Sequence, residues 1–447
     1  MKYEKWSLGY LLLKKYVSFA DLIIHKRIIL TGKENIPKNK PILFAPNHQN
    51  ALSDPMAILL HTPYQPVWLA RADIFKNKIA AAILRFMKIM PVYRIRDGKD
   101  QLTKNDTTFE NSIKVLKSNG ALALFPEAAH SGKRQMLVHK KAVPRIVFLA
   151  EEKAKENIDI HIVPTGIYYS SYWKFNRTVI VNFGKPVLAN DYLEEYQQNP
   201  NSATMALRDK LSEAIDEQII NIRSKAHYDD FELIRAFYGK EYLKRQGEKY
   251  SAVNLLRSDQ QLCRRLDKLE QDAPEATEKL TKTAKSYQQL LKQHHLRNWL
   301  VDNPKNNLWK ILRNKLALTI SLPVFVYGFI LNAVPFFVID TLVRKKIKDF
   351  AFWSTFSLVL GLLLFPIVYL IELWALSGFI PGVWLKLAFL ITLPFFGKLA
   401  FLWYILLRKT LGRGNLLYLK LFNKKIFDKI TGQKNKLFEQ LNSLISV

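Results

Sequence analysis

In the N-terminal half of the chain, short apolar runs alternate with stretches whose apolar positions recur every three or four residues. Residues 42–45, 67–70, 121–125, 160–163 and 179–183 are apolar on both alternating faces, as strands covered on both sides must be. With helical patterns between them, they predict an α/β domain over residues 28–200. From residue 202 the period becomes helical, over 203–225, 231–245, 253–270 and 275–300. This reads as a helical connector over 201–310, with Pro274 at the start of its last helix. Three long apolar runs follow, at 316–339, 350–371 and 383–407, the third interrupted by Lys386 and Lys398. A spanning helix needs about 20 apolar residues, so residues 311–447 are expected to form a C-terminal α-helical membrane region with a basic tail. Pro323, Asn332 and Pro335 predict breaks in the first run. At the other end, residues 6–24 are amphipathic, carry Lys14, Lys15 and Asp21, and lack a small-residue cleavage site. Residues 1–27 therefore read as an interfacial helix with Trp6, Tyr10 and Tyr16 at headgroup depth. The alternative is a helix packed on the domain's own core.

Charge narrows the class of partner. Lys+Arg 67 against Asp+Glu 38 gives +29, which calls for polyanions: nucleic acid, an anionic membrane surface or phosphorylated substrates. The cations scatter over helix faces and membrane flanks rather than forming a reading module, so nucleic acid is not expected. Gly 17 and Pro 19 in 447 residues exclude collagen-like and low-complexity chains. The single Cys263 excludes an intrachain disulfide, and no cysteine cluster offers a metal site.

The segment richest in chemistry is Ala45-Pro-Asn-His-Gln-Asn-Ala-Leu-Ser-Asp-Pro-Met, directly after a predicted strand, where α/β sheets bind ligands. Asp54 before Pro55 also reads as the N-cap of a helix over 55–60. Six positions along a helix would turn His48 and Asp54 apart, so pairing requires residues 49–53 to form a turn. Three further segments follow in order: Ile89-Met-Pro-Val-Tyr-Arg, Leu124-Phe-Pro-Glu-Ala-Ala-His-Ser and Ile162-Val-Pro-Thr-Gly-Ile.

Together these segments resemble the four sequence blocks of the membrane-associated glycerol-phosphate and lysophosphatidate acyltransferases, the PlsC-like family, over about residues 42–168. Two features depart from the usual pattern. Five residues rather than four separate His48 from Asp54, and Ala128, Ala129 and His130 replace a glycine, a small or hydroxyl residue and an arginine. Both departures look like the fungal glycerol-phosphate and dihydroxyacetone-phosphate acyltransferases, which favours sn-1 acylation. The resemblance implies that His48 is the general base and that Asp54 holds its tautomer. It requires no acyl-enzyme, so neither Cys263 nor Ser53 needs to be a nucleophile. It implies that Arg94 binds phosphate, with a surface ion pair to Asp97 as the alternative. Asn47 and Glu127 join the substrate-binding set, Glu127 orienting acceptor hydroxyls, and His130, Lys133 and Arg134 add positive charge near the phosphate. Pro164 and Gly166 shape the acyl pocket or simply form a strand end.

The expected fold is thus an α/β acyltransferase domain with an amphipathic N-terminal helix, a helical connector and a C-terminal membrane region. The expected enzyme is an integral membrane protein with its catalytic domain on the cytoplasmic face. Its substrates are a glycerol-phosphate acceptor and an acyl-CoA or acyl carrier protein thioester, anionic lipids are its surroundings, and neither metal nor cofactor is implied. The rivals are a catalytically inactive lipid-binding relative and a transporter, which would use more intramembrane charge than Glu372, Lys386 and Lys398 supply. Basic flanks on both sides of the first apolar run suggest that it enters and returns or lies buried beside the catalytic domain. The second and third runs read as a hairpin with its tip near residues 377–382 and Glu372 level with Lys386.

Overall fold

The structure, a computed structural model, describes residues 2–94, 100, 103–154, 158–302 and 307–445. The chain divides into two compact units. The first comprises residues 1–220 together with 347–358, and the second residues 221–346 and 359–447.

The first unit begins with α1 (Leu8–Ile24), which passes directly into β1 (His25–Thr31). It continues through β2 (Ile42–Pro46), α2 (Ser53–Leu59), β3 (Val67–Arg71), α3 (Lys78–Phe86) and β4 (Ile89–Val92). Then come α4 (Lys104–Lys117), β5 (Ala121–Ala123), α5 (Ala142–Ala154), β6 (His161–Tyr169), β7 (Arg177–Phe183) and β8 (Val187–Leu188), followed by α6 (Leu193–Gln198) and α7 (Pro200–Asp216). The strands form one eight-stranded mixed sheet in the order β1-β7-β6-β2-β5-β3-β4, with β8 beside β6. Strands β6, β2, β5, β3 and β4 run parallel, while β7 and β8 run antiparallel to β6. Every residue of β2 is buried, as expected for a central strand covered on both faces. Fully burying side chains such as Ile42, Leu43 and Phe44 contributes about 1.5–3 kcal/mol each.

Three short strands escaped the periodicity: β1, whose outward Lys26 and Arg27 mask it, the four-residue edge strand β4 and the two-residue β8. Strand β6 holds Pro164 in the sheet interior, where the missing N–H would ordinarily cost a ladder bond. Pairing with β8 ends at Ile162 and pairing with β7 begins at Thr165, so Pro164 falls in the gap between them. On α1, Tyr10, Val17 and Asp21 are buried while Leu8, Leu12, Tyr16, Phe19 and Leu22 are exposed.

The second unit contains α8 (Tyr228–Arg245), α9 (Ala252–Asp272), α10 (Pro274–Gln293) and the short α11 (Asn298–Val301). It also contains α12 (Leu308–Ile320), α13 (Leu322–Lys346), α15 (Val383–Phe422) and α16 (Lys424–Leu444), and most of α14 (Trp353–Leu376). Pro274 opens α10 as expected. Among the described residues, three helices are long and apolar enough to cross a membrane: Leu322–Lys346, Phe350–Leu376 and Val383–Phe422.

The predicted break at Asn332 to Pro335 is absent, because α13 runs through Pro335 without interruption. The chain instead turns at Ser321, between α12 and α13, and Pro323 sits in the first turn of α13, where a missing N–H costs nothing. Asn332 Nδ2 donates to Gly328 O at 2.9 Å and to Leu393 O of α15 at 3.2 Å, while Tyr369 Oη donates to Asn332 Oδ1 at 2.6 Å. Gly328 lets α13 meet α15 closely, since a Cβ there would lie 2.2 Å from Phe396 O. Glu372 and Lys386 form no ion pair among the described residues.

Candidate active site

Strands β2, β5, β3 and β4 all end on the same edge of the sheet, so the segments after them converge there. After β2 the chain makes a tight turn before α2. Asp54 is not the N-cap expected for it; Leu52 holds that position and Asp54 lies in the first turn. Its Oδ2 faces back across the turn and accepts from Gln49 N at 2.7 Å, Asn50 N at 2.7 Å and His48 Nδ1 at 2.9 Å. The six-residue spacing therefore pairs the two side chains because residues 49–53 form a turn, with Ala51 at φ +40°. A carboxylate at Nδ1 fixes the neutral ring's proton there and leaves the Nε2 lone pair available. Among the described residues Nε2 makes no hydrogen bond. The ring lies flat on Phe125, with centroids 3.9 Å apart and planes 14° apart.

The loop after β5 grips this turn from the other side. Glu127, 2% exposed, accepts from His48 N at 2.9 Å and from Leu137 N at 3.0 Å, one bond to each carboxylate oxygen, and Ser131 N donates to His48 O at 3.2 Å. Burial pushes the Glu127 carboxyl up to about 8, against the two backbone bonds that favour its ionised form. Both oxygens of Glu127, which is expected to orient acceptor hydroxyls, accept a backbone amide. Ala128, where the family pattern has glycine, adopts φ +57°, a left-handed conformation that costs a residue with a Cβ about 1–2 kcal/mol.

The remaining candidates separate into those at the edge and those in the frame. His130 lies beside the dyad, its ring 5.5 Å from His48 and edge-on to Phe352 at 4.8 Å, with Nε2 3.8 Å from Asp349. Burial, with His48 nearby, lowers its pKa. Lys133 is exposed. Arg134, expected to add charge near a phosphate, is instead 3% exposed, donates to Tyr169 O at 2.7 Å and stacks over Tyr168 and Tyr172. The Asn47 side chain is buried and exchanges hydrogen bonds with Ile167 N at 2.7 Å and Ile167 O at 3.3 Å, continuing the β2–β6 ladder. Pro164 and Gly166 lie within β6 rather than at its end, and a Cβ on Gly166 would sit 2.3 Å from Gln218 O.

Arg94 follows β4, and its guanidinium lies 3.7 Å from Asp73. Asp97, the alternative partner, lies outside the described residues. Asp73 is shared with Arg71, whose hydrogen bonds hold its carboxyl below the ordinary carboxylate value. The sequence reading missed Arg71; the available signal was its position at the C-terminal end of an apolar strand. Three strand spacings, about 14 Å, separate β2 from β4. Along that edge lie the dyad turn after β2, Arg71 at the end of β3 and Arg94 after β4.

The chain matches the family described as Acyltransferase over residues 27–168. Those residues are an acyltransferase domain. The chain is also similar to curated relatives. Glycerol-3-phosphate O-acyltransferase 2 of Saccharomyces cerevisiae is 27% identical over 112 residues, covering 25% of this chain and 15% of the yeast protein. The 1-acyl-sn-glycerol-3-phosphate acyltransferase of Borreliella burgdorferi is 22% identical over 216 residues, covering 47% of this chain and 80% of the relative. Among solved structures, the lysophosphatidate acyltransferase PlsC of Thermotoga maritima aligns with a TM-score of 0.32 at 17% identity, over 46% of this chain and 78% of that one.

Proposed function

We propose that the protein is a membrane-bound acyltransferase of phospholipid biosynthesis, moving a fatty acyl group from a thioester to a hydroxyl of a glycerol-phosphate acceptor. The observation that carries this reading is the His48–Asp54 pair, with Nε2 unengaged at the sheet edge of an acyltransferase domain. A hydroxyl is a poor nucleophile at neutral pH. His48 Nε2 takes its proton as the oxygen attacks the thioester carbonyl, and Asp54 stabilises the imidazolium that results. The new C–O bond forms, the C–S bond breaks, and the proton leaves with the thiol. General-base help of this kind contributes about 10² to 10⁴ in rate. Arg71 and Arg94 offer planar forks for the acceptor's phosphate, and His130 adds a third polar group beside the dyad. The five-residue spacing, the His130 position and the yeast relative's name favour acylation at sn-1 of glycerol-3-phosphate or dihydroxyacetone phosphate. Exposed apolar side chains on α1 favour an interfacial placement, and the basic flanks of the apolar helices favour a cytoplasmic catalytic domain. The test offers purified protein in lipid nanodiscs glycerol-3-phosphate, dihydroxyacetone phosphate and 1-acylglycerol-3-phosphate together, with acyl-CoA and then acyl carrier protein thioesters, and identifies products by mass spectrometry. A single monoacylated product is expected. Absence of product from every combination overturns the reading in favour of a lipid-binding relative.

A further inference from the structure

Residues 347–358 belong to the first unit although about 130 positions separate them from the rest of it. Two of these residues, Ser354 and Thr355, meet the turn that carries the dyad. Leu52 N, at the N-cap of α2, donates to Thr355 Oγ1 at 3.0 Å. Ser53 Oγ and Ser354 Oγ are 2.9 Å apart, and Arg177 Nη2 reaches both, at 2.8 Å to Ser354 and 3.3 Å to Ser53. Arg177 is itself buried, 5% exposed, and its guanidinium lies 4.8 Å over the ring of Tyr169. Behind the turn, Tyr172 Oη donates to Gln49 Oε1 at 2.7 Å, and Asn50 Nδ2 donates to Tyr172 O at 2.9 Å.

We infer that Ser354 and Thr355, with Arg177 beneath them, are positioning residues of the His48–Asp54 dyad, supplied by the first turn of an apolar helix some 300 positions downstream. This rests on the acyltransferase reading for its catalytic consequence. The turn has two free ends of control. Asp54 accepts two backbone amides from inside it, but Leu52 and Ser53, the residues that aim the start of α2 and so the Asp54 side chain, have their outward polar groups satisfied by residues 354 and 355. Removing those partners leaves the half-buried Leu52 N–H unpaired and Ser53 Oγ with Arg177 as its side-chain partner, and lets the start of α2 drift. A shift of about 1 Å in a reacting group is enough to cost about 10²-fold in rate. Neither Ser354 nor Thr355 touches His48, so substrate binding should survive the change.

The experiment uses the full chain in nanodiscs and compares wild type with the double variant Ser354→Ala/Thr355→Val and with the single variant Thr355→Ser, which keeps the acceptor hydroxyl. Two quantities are read: steady-state kcat and KM for both substrates, and hydrogen exchange of the peptide spanning residues 47–56. The double variant should lower kcat at least tenfold with each KM within about threefold of wild type, and should speed exchange in that peptide. Thr355→Ser should restore both to within about threefold. Wild-type exchange in the double variant, or a fall in kcat matched by an equal loss in Thr355→Ser, overturns the inference. A wild-type protein that acylates no glycerol phosphate but shows the exchange difference sinks the functional reading and leaves the positioning contact standing.

Discussion

Replacing Glu127 with glutamine separates two roles by their pH dependence. The glutamate joins the loop after β5 to the dyad turn through His48 N and Leu137 N, from a site 2% exposed. Its carboxyl is raised from 4.5 to about 8 by burial. A carboxyl raised on folding contributes stability that is complete below its unfolded pKa and is lost as pH climbs through the folded one. At about 1.36 kcal/mol per pKa unit, ionising this group in place costs roughly 5 kcal/mol, about 4 of it between pH 5 and 8.5. Glutamine carries none of that dependence. At pH 5 it should be the worse residue, because its oxygen accepts one backbone amide while its Nε2 opposes the other, a loss of about 1–3 kcal/mol. By pH 8.5 the deficit should shrink to nothing or reverse. For a unit of this size, about 2–4 °C accompanies each kcal/mol, so the gap in melting temperature should change by roughly ten degrees across the range. Tryptophan fluorescence melts of both proteins in one detergent measure it, with every other titrating group common to the pair. A gap constant in pH would refute the reasoning. In turnover, the variant should lose kcat about tenfold with acceptor KM little changed. A pure KM effect would return Glu127 to an acceptor-orienting role.

His48→Ala should cut acyl transfer about a hundredfold or more with folding intact, and Asp54→Asn should be similarly severe; retention of half the wild-type rate in purified His48→Ala would exclude it as the base. Arg94→Ala should raise the KM of the acceptor far more than that of the donor, and Arg94→Lys should recover it only in part; equal effects on both substrates would point to its pairing with Asp73 alone. Ala128→Gly removes left-handed strain of about 1–2 kcal/mol at a chain-entropy cost of about 0.5–1, so a urea or thermal melt should show it at least as stable as wild type. For the hairpin, single cysteines replacing Ser377 and Lys420 with Cys263 removed should label from outside and inside respectively; Lys420 is exposed, whereas a Cβ on Gly412 would meet Leu300 Cδ1 at 3.1 Å. Outside labelling of the Lys420 position but not of Ser377 would sink that topology.

The sheet's centre was legible because burial on both faces leaves unbroken apolar runs, and β2, β3 and β7 coincide with them. Strand β1 was not legible, since a strand at the sheet edge with charged outward residues has no such run. The dyad could be read from His48 and Asp54 only conditionally, as a turn rather than a helix, and the turn formed. The burial of Arg134 and Asn47 was not legible for a common reason: polar residue types next to a motif look available, and only tertiary packing shows that Asn47 bonds to Ile167 and Arg134 to Tyr169. Ser354 and Thr355 gave no signal, because two hydroxyls at the start of an apolar helix carry no period and no motif.

The discontinuity of the first unit also sets an order in time. A ribosome extends the chain at roughly 5–20 residues per second, so the stretch between residues 220 and 347 occupies about 6–25 s. During that interval the sheet, the His48 turn and the loop holding Glu127 have all been made, yet Thr355, which accepts from Leu52 N, and Ser354, one of the two side-chain partners of Ser53 Oγ, do not exist. The nascent catalytic unit therefore spends its first seconds with its most delicate turn unfinished, and the residues that complete it emerge only after α13, the first long apolar helix, has been made.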